Sequence, residues 1–95
     1  MDESKAIEYL MHFGMSRQEA TVYLRLIEAG KQTGYEIARD TGISRSNVYA
    51  SLAALVEKGA AYLVEEDAKR YIPVHVQEFC GNRIRRMEKN RSGWI

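Results

Sequence analysis

The stretch TGISRSNVYASLAALVEKG, residues 41–59, gathers hydrogen-bonding side chains at the start of a helix whose packing does not need them. Ser44, Arg45, Ser46, Asn47 and Tyr49 crowd the first turns, while Val48, Leu52, Leu55 and Val56 supply an apolar seam. An arginine fork matches the two acceptors on a guanine edge, and an asparagine amide matches the acceptor and donor of adenine. Each such pair is worth roughly 1–3 kcal/mol of discrimination between bases. Ala50, Ala53 and Ala54 fall at later outward positions, so the helix axis can come close to a partner surface. The free N–H groups and dipole of a helix start also favour a phosphate. The chemistry these residues can do is recognition, not bond making.

Two further clusters fit the same purpose. Gln32 and Thr33, at the start of a preceding short helix, are placed for contacts to a phosphate backbone. Lys69 and Arg70 close a polar turn, EEDAK, where they would reach an adjacent groove or phosphate; the acidic trio Glu65, Glu66 and Asp67 precedes them and would repel one. Nothing points to catalysis. There is no glycine loop that would cradle a phosphate, no Cys/His set at metal-ligand spacing and no nucleophile motif. Cys80 is alone, and His12 and His75 read as ordinary surface or semi-buried residues. No cofactor is implied, and no residue pattern names an effector ligand.

The elements that must position these groups read as four helices, a hairpin and a final helix. Helix 1, about 3–13, shows Ile7, Leu10 and Met11 on one face and stops at Gly14, with Met11 and Met15 as core filler. Ser16 with Glu19 makes a capping box for helix 2, which carries Ala20, Tyr23, Leu24 and Ile27 at helical spacing and ends at Gly30. Thr33 with Glu36 makes a second box for a short helix, about 34–40, whose Ile37 and Ala38 face inward. Gly42 closes it, and Ser44 caps the helix of residues 45–58. Beyond Gly59 the period changes to two, giving strands of about 61–65 and 70–74, with Pro73 suited to an edge. A short helix, a turn with glycine and a second helix followed by a hairpin define a winged helix-turn-helix, the second helix lying in a major groove.

Composition bounds the possibilities. Ninety-five residues, 45% of them hydrophobic and 28% charged, make one globular unit with a small core. A lone cysteine fits a reducing cytoplasm, and no apolar run is long enough for a membrane span. The net charge of +1 divides unevenly: −2 over residues 1–30, +1 over 31–59, −1 over 60–75 and +3 over 76–95. Such a chain is not a basic coat for nucleic acid, so any phosphate binding must come from local clusters.

The segments SRQEATVYLRLIEAG, TGYEIARDTGISRSNVY, LVEKGAA and RYIPV resemble the winged helix-turn-helix domain of TrmB-type transcriptional regulators, over about residues 5–75. The resemblance implies dimeric binding to double-stranded DNA through the helix of residues 45–58 and the wing, with a helix after the wing pairing the subunits. Longer members of that family carry a C-terminal sugar-binding domain; the 95 residues run to just past the linking helix, so the resemblance implies no sugar response for them by themselves.

The division expected is therefore a DNA-binding domain, 1–75, and a dimerisation helix within 76–95. In the latter, Val76, Phe79, Cys80, Ile84 and Met87 recur at spacings of three and four, a narrow stripe that a second chain would cover. Arg83, Arg85, Arg86, Lys89 and Arg91 lie largely off it. The rival reading is a winged helix used for protein contact, favoured by the near-neutral charge and the acidic turn. Against it, a protein-binding helix face would expose Leu, Phe or Trp rather than Ser, Arg and Asn.

Overall fold

The computed structural model describes residues 3–74, and the expected dimerisation segment lies outside them. Four helices, α1 (Glu3–His12), α2 (Arg17–Ala29), α3 (Gly34–Thr41) and α4 (Arg45–Glu57), combine with three short strands, β1 (Gln32–Thr33), β2 (Ala61–Glu65) and β3 (Lys69–Pro73). The arrangement is mainly helical with one small antiparallel sheet, as in winged helices.

Local chemistry sets the helix starts. Ser16 accepts a hydrogen bond from the Glu19 N–H, and the Glu19 carboxylate accepts one from the Ser16 N–H, at 3.0 and 3.1 Å. Thr33 and Glu36 repeat the exchange ahead of α3. The third start, at Ser44, has only the hydroxyl half, a bond from the Asn47 N–H. Between α3 and α4 the chain reverses at Gly42, whose φ of 77° lies in the left-handed region that a side chain disfavours.

The sheet is larger than the expected hairpin. Strand β3 is central, in the order β1-β3-β2, with Gln32 opposite Tyr71 and Thr33 opposite Arg70. Residues 32 and 33 thus form a strand immediately before α3. Its partner strand comes from the wing, so the wing is tied to the front of α3 by main-chain pairing.

The core lies where α2 meets α1, α3, α4 and β3. Tyr23, Leu26, Ile37, Val48, Leu52 and Leu55 are fully enclosed there. Three expectations of burial are corrected. Met11 is exposed, while Met15 is buried. In α2 the core takes Val22 and Leu26, leaving Ile27 exposed and Leu24 half-buried. In α4 the seam comprises Val48, Ser51, Leu52 and Leu55. At 100° per residue Val56 falls about 80° from Val48, beyond the edge of that stripe, and it is exposed. Ser51 takes the interior place because its hydroxyl pairs with the Gln18 side chain at 3.3 Å.

Two long-range polar contacts fasten the outer elements. Lys58, just past α4, bonds to the Gly14 carbonyl at 2.7 Å and to the Glu19 carboxylate. Tyr23 donates to the Val74 carbonyl at 2.6 Å within the core.

Candidate nucleic-acid interface

Burying Val48, Ser51, Leu52 and Leu55 turns the rest of α4 outward. Ser44, Arg45, Ser46, Asn47, Tyr49, Ala50 and Ala53 are all exposed, a continuous polar and small-residue surface over the first turns. Among these residues only Ser44 has its side chain spent on capping. Seven of the ten residues expected to contact DNA therefore come together by exposure or adjacency: Ser44 just ahead of α4, Arg45 through Asn47, Tyr49 and Ala50 on it, with Thr33 half-buried just ahead of α3.

Gln32 is a correction. It is buried, and its amide donates to Asp40 at 3.2 Å, so the side chain is an internal strut and does not face outward for a phosphate. Its other amide atom, Oε1, is buried without a partner in the described residues. Thr33 is committed as well, its hydroxyl capping α3.

Two contacts at this surface involve residues that sequence reading passed over. The guanidinium of Arg45 lies over the ring of Tyr35, 4.6 Å from its centroid. The ring of Tyr49 rests against the backbone of Gly34, and a Cβ at that position would sit 2.5 Å from Tyr49 Cε1. Both join the N-terminal end of α3 to that of α4. A Tyr beside a helix-start glycine was the available signal, but only the crossing of the two helices says which rings meet which neighbours.

The wing presents a changed charge balance. Glu66 pairs with Lys31 at 2.8 Å, and Asp67 with Arg70 at 3.3 Å. Two members of the acidic trio are thus each opposed by a cation. Lys69 is exposed and makes no ion pair among the described residues, whereas Arg70 is half-buried. Lys69 and Arg70 form the first two positions of β3, at the turn end of the sheet.

Behind the surface lies an ionic network that fixes α3. Asp40 receives Arg39, Arg25 and Gln32, and the Arg39 hydrogen bond, followed by that of Gln32, holds its carboxyl below its ordinary value of 3.8. The Thr33 backbone N–H, then the Thr33 side chain, likewise hold Glu36 below 4.5. Burial pushes the Tyr71 phenol up, with Tyr49 adding to the shift. These shifts belong to structure, since none of the three groups has a partner it could activate. The described residues contain no cluster of acidic, His or Cys side chains able to hold a metal, and no helix among them is long and apolar enough to cross a membrane.

Fold and surface together define a winged helix-turn-helix whose second helix has an open, polar N-terminal half. Residues 10–77 match the family described as sugar-specific transcriptional regulator TrmB, and the chain belongs to that family. It is 29% identical over 84 residues to the Bacillus subtilis protein YrhO, and 28% identical over 75 residues to the HTH-type sugar sensing transcriptional regulator TrmBL1 of Pyrococcus furiosus. Those alignments take in 88% and 79% of this chain but only 30% and 22% of the relatives' lengths. Among solved structures, TrmBL2, described as an archaeal chromatin protein with a novel mode of DNA binding, superposes with a TM-score of 0.87 at 26% identity. That match spans 98% of this chain and 36% of TrmBL2. The ST1889 protein of Sulfolobus tokodaii shares the fold, with a TM-score of 0.71 at 19% identity, over 98% of this chain and 97% of its own.

Proposed function

We propose that the chain is a sequence-specific, double-stranded DNA-binding transcriptional regulator that acts as a homodimer. Helix α4 enters the major groove, and the wing, β2 and β3, lies on the adjacent backbone or minor groove. The observation that carries this reading is the composition of the exposed half of α4. Arg45, Asn47 and Tyr49 supply donors and a ring, while Ser46, Ala50 and Ala53 keep the axis low enough for short side chains to reach base edges. The names of TrmBL1, a transcriptional regulator, and TrmBL2, a DNA-binding protein, agree with it.

Of the two grounds for the protein-contact alternative, the acidic turn is weakened at the wing, where Glu66 and Asp67 are paired with Lys31 and Arg70. On α4 itself the exposed large apolar residues are Tyr49 and, at the far end, Val56, too few for a protein-binding core. Homodimerisation rests on the stripe of Val76, Phe79, Cys80, Ile84 and Met87, and on the symmetry that pairs two recognition helices with two half-sites. A dimer of this kind reads half-sites about 34–36 Å apart, or a multiple of that spacing.

The test is fluorescence anisotropy of labelled duplexes across a salt series, comparing the fragment upstream of the protein's own gene with a scrambled control. Tighter binding to the native fragment, with a steeper salt dependence on the control, is expected of a groove reader. Absence of binding to both at low salt would leave α4 as no more than a well-capped helix.

A further inference from the structure

Tyr35 is the second residue of α3 and Arg45 the first of α4, and the two meet outside the core. Neither side chain is buried: Tyr35 is 50% exposed and Arg45 is also open to solvent. The contact is made on the face of the ring, with the guanidinium carbon over it at 4.6 Å from its centroid. That distinguishes Arg45 from three other arginines among the described residues. Arg25 pairs with Glu28 and Asp40, Arg39 with Asp40 and Arg70 with Asp67, each through one or two of its guanidinium nitrogens. Arg45 makes no ion pair among the described residues.

The five N–H donors of a guanidinium lie in its plane. An ion pair occupies some of them, whereas an aromatic ring attracts the charge through its quadrupole without committing them to a carboxylate. Tyr35 therefore restrains a long, otherwise mobile side chain without occupying the atoms that recognition needs. Ordering such a side chain only on binding would cost rotamer entropy, and a side chain already ordered loses less.

We propose that Tyr35 is a specificity-determining positioning residue: its ring holds Arg45 without committing the donors to an ion pair, so that the fork is presented to one guanine in each half-site. This rests on reading α4 as the groove-binding helix. The assignment makes Tyr35 act through Arg45, so its removal must change the same base position that Arg45 reads and no other.

The experiment is enrichment from a randomised duplex pool by the full chain, followed by sequencing, for the wild type, Arg45→Ala, Tyr35→Leu, Tyr35→Phe and Tyr35→Trp. Arg45→Ala is expected to relax the guanine preference at one position per half-site. Tyr35→Leu is expected to relax that same position by about two- to fivefold, rising toward roughly 30-fold if the pair is desolvated in the groove, and to leave the other positions sharp. Tyr35→Phe and Tyr35→Trp, which keep a ring face, retain the preference. Relaxation at a different position, a uniform loss on all sequences, or an unchanged guanine preference in Tyr35→Leu would each overturn the proposal. Thermal melts check that Tyr35→Leu folds; if it does not, loss of the guanine preference in both ring-retaining variants is the overturning result and its retention the supporting one. A wild type that enriches no sequence sinks the groove reading itself, an outcome recognisable because Arg45→Ala then has no preference to relax.

Discussion

Gly34 and Tyr49 are packed so closely that a methyl group on Gly34 would lie 2.5 Å from the Tyr49 ring. The glycine stands at the first position of α3, the tyrosine on the second turn of α4, and the ring uses the space that any other residue would fill. Tyr49 is 43% exposed, so its outer end can move away without opening the core.

Substituting Gly34→Ala therefore separates stability from recognition. Alanine is favoured over glycine in a helix interior by about 1 kcal/mol, and the part of that preference felt at the first position offsets some of the cost of moving the ring. The expected outcome is a melting temperature within a few degrees of wild type, about what a net change under 1 kcal/mol produces. Specific DNA affinity is expected to fall by roughly fivefold, near 1 kcal/mol, because the ring no longer stands where the groove surface was built. Circular dichroism melts with anisotropy titrations read both; a large loss of stability at unchanged affinity would show that Tyr49 is only a packing group.

How much of this was legible in the sequence follows from how far apart the interacting residues are. Both capping boxes, Ser16 with Glu19 and Thr33 with Glu36, are four-residue patterns, and both form. Gly42 at the turn and the outward placement of Ser46, Ala50 and Ala53 follow from helical period alone. Strand β1 was missed because two residues carry no periodic signal and become a strand only by pairing with Tyr71 and Arg70. The burial of Gln32 follows from that pairing. The rotation of the α2 core toward Val22 and Leu26 reflects a central helix packed by α1, α3, α4 and β3, whereas a single stripe assumes one neighbour. At the interface, residue types were readable but the Tyr35–Arg45 and Gly34–Tyr49 contacts depend on how α3 crosses α4.

The wing offers a prediction about electrostatics alone. Lys69 is exposed and carries no carboxylate partner among the described residues, while Arg70 is held by Asp67. If Lys69 meets a phosphate, Lys69→Ala weakens binding to all sequences alike and lowers the salt slope by about 1. The slope of log K against log salt on native and scrambled duplexes measures it. A change in base preference at constant slope would instead make Lys69 a base reader.

Stability should depend on the clamp between α2 and the end of β3. The Tyr23 hydroxyl donates to the Val74 carbonyl at 2.6 Å, and Val74 returns an N–H to Ala60 at 2.8 Å. Tyr23→Phe keeps the enclosed ring but removes the donor to a buried carbonyl, at a cost of about 1–3 kcal/mol. For a domain of this size each kcal/mol lowers the melting temperature by about 4–8 °C. Urea titration of the variant, with the slope unchanged and the midpoint lowered, is the expected result; an unmoved midpoint would mean that water replaces the lost donor.

Acid should loosen the attachment of α3 before it touches the apolar core. Asp40 is held below its ordinary value of 3.8 chiefly by Arg39, then by Gln32, with the charge of Arg25 adding to the effect. Glu36 is held below 4.5 by the Thr33 main chain and side chain. A carboxylate whose folded value is depressed binds protons more readily in the unfolded chain, so its contribution is complete above the ordinary value. That contribution declines as pH falls below about 4.5 for Glu36 and 3.8 for Asp40, and is gone once pH passes beneath the folded values. The melting temperature is therefore expected to be flat between neutrality and pH 5 with respect to these two groups, and to drop below it. Asp40→Asn should lower stability at pH 7 and reduce the drop in acid, since the variant has no proton to take up at that position. Melts of both proteins from pH 7 to pH 2.5 decide the matter: parallel acid profiles would remove Asp40 from the account and leave Glu36 and the remaining carboxylates to explain the loss.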